Sequence, residues 1–145
     1  MKATIVQADW RRQRRDLLAI RYAVFVDEQG VPMELEHDEY DQGALHLLAR
    51  NPEGQPVATA RMLPDGHIGR MAVLPAWRNQ GIGSAMLRKL IRMAREQSIG
   101  ELFLNAQCEA ETFYQQLGFD AKGDVFIDAG INHRRMTMQL GTDAG

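Results

Sequence analysis

The stretch WRNQGIGSAMLRKL, from Trp77 to Leu90, combines a loop containing two glycines with the start of an amphipathic helix. Gly81 and Gly83 let the backbone approach a ligand closely, and the first N–H groups of a helix have no partner within it. Together with the positive end of the helix dipole, such groups form a site for an anion. The stretch therefore predicts a phosphate-binding loop.

Two kinds of phosphate loop do not fit this stretch. A P-loop has Lys and then Ser or Thr straight after its last glycine, whereas Ser84 and Ala85 follow Gly83 here. A dinucleotide-binding fold needs a third small residue where Met86 stands, and an acid at the end of the next strand, which Glu101 opens instead. The phosphate compound must therefore be identified from the rest of the chain.

Acidic residues are concentrated in a second stretch, DEQGVPMELEHDEYD, between Asp27 and Asp41. It holds seven acids and no lysine or arginine, so it would attract a cation if it bordered a cleft. The alternative is an acidic loop that is simply solvated. The sequence leaves both interpretations open.

Length and composition limit what the chain can be. With 145 residues, 45% hydrophobic and 25% charged, we expect a single domain over residues 1–145. The net charge of -2 favours neither nucleic acid nor an anionic membrane as a partner, and no apolar run is long enough to span a bilayer. No apolar secretory signal is visible, so we expect a cytoplasmic location. The one cysteine, Cys108, excludes an internal disulfide and a multi-thiolate metal site.

The elements upstream of the glycine loop follow from periodicity. Lys2 to Gln7 has the pattern of a short strand, and the apolar spacing from Trp10 predicts a helix that ends before Gly30. The stretches ALHLLAR, PVATARML and HIGRMAVLP are separated by the turn signals NPEGQ and PDG. They predict an antiparallel meander whose third strand runs into the loop.

Downstream of the loop, the chain alternates helices and strands. An apolar stripe predicts a helix from Gly81 to about Gln97. ELFLNAQ is typical of a buried strand, EAETFYQQL of a short helix that Gly118 ends, and VFIDAGINHRRMTMQL of two strands joined at DAGIN. The whole order predicts an α/β or α+β fold, with helices covering the faces of the sheet.

The loop RNQGIG, Arg78 to Gly83, matches the Arg/Gln-x-x-Gly-x-Gly/Ala loop of the GNAT superfamily, the acetyl-CoA-dependent N-acetyltransferases. FYQQLGF resembles the family's helix-and-turn signature, and DAGINHRRM resembles its closing hairpin. The stretch RYAVFVDEQGVP, with the acids after it, is similar to the small bacterial ElaA-like branch. The resemblance covers nearly the whole chain. It implies a mixed, mostly antiparallel sheet with helices on both faces and a splayed central pair of strands.

The resemblance also implies acetyl-CoA as co-substrate and no metal. The free N–H groups of the loop and the helix dipole would bind its pyrophosphate. The exposed backbone of the splayed strand would bind the pantetheine arm, and Gln107 stands where the family often has a helix-start Asn. The CoA-binding residues implied in this way are Met71, Ala72, Val73, Arg78, Asn79, Gln80, Gly81, Ile82, Gly83, Ser84 and Gln107.

Acetyl transfer to an amine needs a base for the ammonium, a donor for the oxyanion and an acid for the thiolate. The resemblance assigns the acid to Tyr114, because a tyrosine with its reference pKa of about 10 is a neutral donor at pH 7. A main-chain amide between Met71 and Val73 would bind the oxyanion. The candidates for the base, directly or through water, are Glu28, Glu36, Asp38, Asp41, His46 and His133, with the acidic stretch favoured as a group.

Acids beside the acceptor cleft would favour a cationic acceptor, such as a small primary amine, a polyamine or a peptide amino group. Two alternatives stay open at this point. One is an acyl-CoA-binding domain that has lost catalysis and acts by interaction. The other is an acidic interaction module without a ligand, for which the loop and FYQQLGF would be coincidence. The sequence identifies neither the acceptor nor the oligomeric state, for which a homodimer is one option.

Overall fold

The computed structural model describes residues 3–32 and 39–141. Its strands are β1 (Thr4–Ala8), β2 (Leu45–Arg50), β3 (Pro56–Met62), β4 (Ile68–Val73), β5 (Glu101–Gln107), β6 (Asp120–Asp128) and β7 (Ile131–Gln139). Its helices are α1 (Trp10–Arg21), α2 (Ile82–Glu96) and α3 (Glu111–Gln116), and the π-helical segment Tyr22–Glu28 continues α1. The mixed α/β fold class and the predicted order of elements are confirmed.

The strands form two antiparallel sheets that meet between β4 and β5. One sheet has the order β1-β2-β3-β4, and the other has the order β5-β7-β6. A parallel bridge joins His67, just before β4, to Phe103 of β5, and the Phe103 N–H donates to the Gly66 carbonyl at 3.1 Å. Beyond this bridge no ladder between β4 and β5 is formed in the described part of the chain. The predicted splayed central pair is therefore present.

A bulge in β4 accompanies the separation of the two strands. Between Thr59 and Arg61, β3 has one residue, whereas the matching part of β4 has two, Arg70 and Met71. Arg70 has a φ of 50°, the left-handed conformation that a residue other than glycine seldom adopts. A bulge bends its strand and increases the local twist. The backbone that faces the gap is thereby turned out of the regular ladder.

Helices cover both faces of the first sheet. Leu47 and Leu48 are adjacent on β2, point to opposite faces and are both fully buried. Leu48 packs in a cluster with Leu17 and Ile20 of α1, and Leu47 belongs to the larger core that α2 completes. The residues of α2 in the core are Ile82, Met86, Leu87, Leu90 and Ala94.

No helix in the described part of the chain has the length and apolar character needed to cross a membrane.

Two element boundaries differ from the sequence prediction. β6 begins at Asp120 instead of the predicted Val125. The prediction missed its first residues because nearly all residues of β6 are exposed and show no apolar alternation. The first helix changes to π-helical turns at Tyr22, although its apolar spacing continues. In both places, the spacing of apolar residues does not show the boundary.

Candidate active site

The gap between β4 and β5 opens into a cleft of about 330 Å³. Part of its wall comes from the chain after α1, through Phe25, Gln29 and Val31. An open depression of about 490 Å³ lies beside the start of α1, but none of the predicted site residues lines it. The cleft, in contrast, is lined by the predicted site residues Met71, Gln107, Tyr114 and His133.

The glycine loop presents an uncapped helix start. Gly81 is the N-cap of α2, with a φ of 84° and no side-chain capping bond. Asn79 is also left-handed, with a φ of 63°, a conformation that glycine and asparagine tolerate best. Both residues are exposed, and the N–H groups of the first turn of α2 have no acceptor within the helix. The loop can therefore bind an anion with its backbone.

Gly83 differs from Gly81 in what surrounds its Cα. A Cβ at Gly83 would lie 3.5 Å from Phe113 Cζ and 4.0 Å from Val73 Cγ2, which are ordinary contact distances. A Cβ would therefore fit at Gly83, and packing against α3 and β4 limits only larger side chains there. At Gly81 a Cβ would meet nothing within 4 Å, so the positive φ alone favours glycine there.

Tyr114 reaches the cleft from α3 through apolar surroundings. Its hydroxyl donates to Met71 Sδ at 3.8 Å, and its ring makes edge contacts with Phe113 and Phe119 at centroid distances of 5.0 and 6.1 Å. Burial raises the pKa of Tyr114 to about 12. The hydroxyl therefore keeps its proton at neutral pH and can act as a donor.

His133 enters the cleft from β7, where it lies opposite Gln107 of β5 and Phe126 of β6. Its Nδ1 is 2.7 Å from the carbonyl oxygen of Ile131, and its ring stacks on Phe126. Because a carbonyl oxygen only accepts, Nδ1 carries the proton and Nε2 of the neutral ring has the lone pair. His133 can therefore accept a proton from a group bound in the cleft.

Glu28, a predicted base, and Arg78, a predicted CoA ligand, form an ion pair with each other. Arg78 Nη1 and Nη2 donate to the two carboxylate oxygens of Glu28 at 2.7 and 2.6 Å. Arg78 Nε donates to the carbonyl oxygen of Val73 at 2.9 Å. The hydrogen bonds from Arg78 lower the pKa of Glu28, which weakens it as a base.

Gln107 ends β5 and also contacts the segment after α1. Its Nε2 donates to Gln29 Oε1 at 2.8 Å. Cys108 follows directly and is half-buried.

Within residues 3–32 and 39–141, no three His, Cys, Asp or Glu side chains come together as metal ligands.

Asp41, the last residue of the acidic stretch, lies in the interior. It is 2% exposed and accepts hydrogen bonds from Arg21 at 2.9 and 3.0 Å and from Arg61 at 3.0 Å. Burial alone would raise the pKa of Asp41, but the bonds and charges of Arg21, followed by Arg61, lower it. Asp41 is therefore a structural ion that ties α1 to the sheet, and the prediction of Asp41 as a candidate base is corrected.

The remaining candidate bases of the sequence prediction are Glu36, Asp38 and His46. Glu36 and Asp38 lie outside the described residues. His46 is 1% exposed, has Nε2 at 2.7 Å from the Asp41 carbonyl oxygen and stacks on Trp10. Burial lowers the pKa of His46. His46 is therefore part of the packing between α1 and β2.

Sequence reasoning missed three ionisable residues that line the cleft: His67, Arg70 and Asp128. His67 stacks on Phe103 with ring centroids 4.8 Å apart, and burial lowers its pKa. The available signal was their position beside predicted turns, because His67 follows the PDG turn and Asp128 begins the DAGIN turn. Arg70 and Asp128 carry opposite charges, so the described lining is not uniformly acidic.

Comparison with known proteins relates the chain to one family. A family profile for the acetyltransferase (GNAT) domain matches residues 5–140. The uncharacterised Bacillus subtilis N-acetyltransferase YjcF is 34% identical over 140 residues, which are 94% of this chain and 98% of that protein. Escherichia coli ElaA is 31% identical over 133 residues, 86% of each chain.

Two crystal structures show the same fold over nearly the whole chain. That of Escherichia coli ElaA has a TM-score of 0.83 and 27% identity, and covers 96% of this chain and 100% of its own. That of an acyl-CoA N-acyltransferase from Pseudomonas aeruginosa has a TM-score of 0.84 and 27% identity, and covers 94% of this chain and 99% of its own.

Proposed function

The chain belongs to the GNAT acetyltransferase family and is an acyl-CoA-dependent acyltransferase, and on that premise we propose that it transfers acetyl from acetyl-CoA to a primary amine. The amine would attack the thioester directly, in a ternary complex. One observation carries the proposal: Tyr114, which we propose as the proton donor, and His133, which we propose as the proton acceptor, both line the cleft between β4 and β5. The alternative, a domain that binds acyl-CoA without catalysis, would not need a proton donor and a proton acceptor in the same cleft.

The start of α2 supports binding of the CoA pyrophosphate. The N–H groups between Asn79 and Ser84 would donate to its oxygens, and the dipole of α2 would favour its negative charge. The pantetheine arm would lie along β4, from Met71 to Val73, because β5 has separated from this part of the strand. The thioester would then be placed beside Tyr114.

The residues of the cleft divide the proton transfers between them. His133 Nε2 would take the proton from the ammonium, which frees the nitrogen lone pair to attack the thioester carbon. A main-chain N–H near the bulge, at Met71, would donate to the carbonyl oxygen as negative charge develops. As the carbon–sulfur bond breaks, Tyr114 would give its proton to the sulfur. The nitrogen, which is positively charged after the attack, would lose its second proton through water to Tyr114, which restores the hydroxyl and leaves a neutral amide. His133 would release the first proton to solvent.

A cationic acceptor remains the substrate class that we propose. Asp128 lines the cleft at the hairpin that also carries His133, and it would attract an ammonium. The cation could be a small amine, a polyamine or the amino group of a peptide. A cytosolic location and a homodimer stay predictions.

The test is amine-dependent turnover. The purified protein is incubated with acetyl-CoA and a panel of amines, polyamines and peptides, and both free CoA thiol and the acetylated product are followed. We expect thiol release that depends on the amine and a matching mass increase of 42 Da, about that of an acetyl group replacing a proton. If calorimetry shows acetyl-CoA binding but no amine raises thiol release above the amine-free rate, the silent domain is correct.

A further inference from the structure

Two adjacent residues, Glu28 and Gln29, contact both sides of the gap. Glu28 binds Arg78, which in turn donates to Val73, the last residue of β4. Gln29 accepts from Gln107, the last residue of β5. Because Glu28 and Gln29 are neighbours in the chain, side-chain hydrogen bonds of 2.6 to 2.9 Å connect the end of β4 to the end of β5 through them.

We propose that Glu28, Gln29, Arg78 and Gln107 form a bracket that sets the separation of the ends of β4 and β5. The role rests on the proposed function, because the bracket would hold the thioester in line with the groups that react. In this assignment Glu28 and Arg78 are positioning residues, and neither the base nor a phosphate ligand.

The need for a bracket follows from the topology. β4 and β5 are joined near their starts by the His67–Phe103 bridge, and in the described chain no ladder holds them together further on. Strand ends without a ladder can move independently, whereas a displacement of about 1 Å at reacting atoms can reduce the rate about 10²-fold. Side-chain bonds across the open end replace the missing ladder.

The geometry of Arg78 favours a structural connection over phosphate binding. Each of its three guanidinium nitrogens already donates to a protein oxygen, two of them to Glu28 and one to Val73. Three of its five N–H donors are therefore engaged within the protein, and they hold the guanidinium between Glu28 and Val73. The paired, parallel bonds to one carboxylate also require the planar fork of arginine, which lysine lacks.

Backbone hydrogen bonds hold the segment that carries Glu28 and Gln29, so it can fix the positions of these two side chains. Backbone bonds fold it into wide turns, from the Gln29 N–H to Val24, the Gly30 N–H to Val26 and the Val31 N–H to Phe25, at 2.8 to 3.1 Å. Phe25, Gln29 and Val31 of the same segment line the cleft. The bracket therefore connects the wall of the cleft to Arg78, the first residue of the glycine loop.

The first experiment compares Glu28→Gln, Arg78→Lys and the double variant. We expect kcat to fall about tenfold in each single variant, or ~1.4 kcal/mol, with the acetyl-CoA Kd from calorimetry within about twofold. The double variant should be no worse than either single variant, because both break the same connection. Additive losses, or a loss of CoA affinity in Arg78→Lys, would instead favour a base at Glu28 and a phosphate ligand at Arg78.

Asp16→Asn is a matched control. The Arg50–Asp16 pair is 2.9 Å long with side chains 31% and 38% exposed, against 36% and 38% for Arg78 and Glu28, and it lies away from the cleft. Loss of this pair should leave kcat and Kd unchanged. An equal loss of kcat in Asp16→Asn would attribute the effect to surface charge and overturn the bracket.

The second experiment does not depend on turnover. Cys108 is the only cysteine of the chain, follows Gln107 and is half-buried, so movement at the end of β5 should change the exposure of its thiol and its reaction rate with Ellman's reagent. We expect a rate increase of about threefold or more in Glu28→Gln and in Gln29→Ala, with no change in Asp16→Asn. Thermal unfolding would verify that each variant is folded.

The two experiments separate failure of the bracket from failure of the proposed function. Unchanged Cys108 rates in Glu28→Gln and Gln29→Ala would overturn the bracket, whatever turnover shows. Faster Cys108 reaction in a protein that acetylates no amine would support the bracket and remove the proposed reaction.

Discussion

The Tyr114 hydroxyl lies 3.8 Å from the sulfur of Met71, at the point where α3 meets the bulge of β4. A thioether sulfur is a weak acceptor, so this contact holds the hydroxyl only loosely. The hydroxyl therefore faces the gap in a protonated form and is free to turn toward a stronger acceptor. A CoA thiolate formed in the gap would be such an acceptor.

We predict that Tyr114→Phe lowers kcat by about 10²-fold, near 2.7 kcal/mol, because the thiolate leaves without a proton donor. The loss should not be larger, since a thiol with a reference pKa of about 8.5 is already a tolerable leaving group. The ring and its contacts with Phe113 and Phe119 are kept, so CoA affinity should change by less than a few-fold. Wild-type turnover in Tyr114→Phe on a verified acceptor would return Tyr114 to a packing role.

The raised pKa of Tyr114 predicts a specific effect at alkaline pH. The unfolded chain loses the tyrosine proton near pH 10, whereas the folded protein keeps it until about pH 12. Because the folded-state pKa is raised, the stability that Tyr114 contributes is complete below pH 10 and is lost as the pH rises through about 12. Tyr114→Phe should therefore lose less stability than the wild type across this window.

Ultraviolet titration of the phenol groups checks the same point directly. Tyr114→Phe should lack an ionisation step near pH 12 that the wild type shows. If the step that disappears in Tyr114→Phe lies near pH 10, the hydroxyl is not desolvated as the structure indicates.

The base is tested by His133→Gln, which keeps a polar side chain but removes the basic Nε2. We expect kcat to fall about 10²-fold with acetyl-CoA affinity unchanged, as for loss of a general base. His67→Gln is the matched control, because His67 lines the same cleft but packs on Phe103. If His133→Gln retains wild-type kcat, the base lies elsewhere, and Glu36→Gln and Asp38→Asn become the variants to measure.

The fold was predictable because its signals are local. The glycine loop, the turn signals between strands and the apolar stripe of α2 each lie within about one element, where spacing reports structure directly. Tyr114 was assigned through the resemblance of the continuous motif FYQQLGF to the family's signature, and His133 lies in DAGINHRRM, which resembles the family's closing hairpin. Their meeting in one cleft agrees with the expected splayed pair.

The bonds between distant parts of the chain could not be predicted in this way. Glu28 and Arg78 are 50 residues apart, and both are charged residues of a kind that usually faces solvent. Asp41 lies among other acids, but its two partners are 20 residues away on either side. Only the packing of α1 against β2 and β3 brings these three charges together, and no local pattern records it.

The last prediction concerns the anion site and compares two glycines with the same backbone. Gly81 has a φ of 84° and Gly54 a φ of 83°, and a Cβ at either would meet nothing within 4 Å. Alanine at either position should therefore cost about the same in folding, on the order of 1–2 kcal/mol for a left-handed residue. Only Gly81 lies in the loop at the start of α2, so only Gly81→Ala should weaken CoA binding.

We expect the Kd for CoA to rise about tenfold in Gly81→Ala, or ~1.4 kcal/mol, because strain moves the backbone N–H groups that donate to the pyrophosphate. Gly54→Ala, on the turn between β2 and β3, should bind CoA as the wild type does. Chemical denaturation would show whether the two variants are equally destabilised, and calorimetry would give the two Kd values. Equal CoA affinity in two equally stable variants would mean that the pyrophosphate does not bind at the loop.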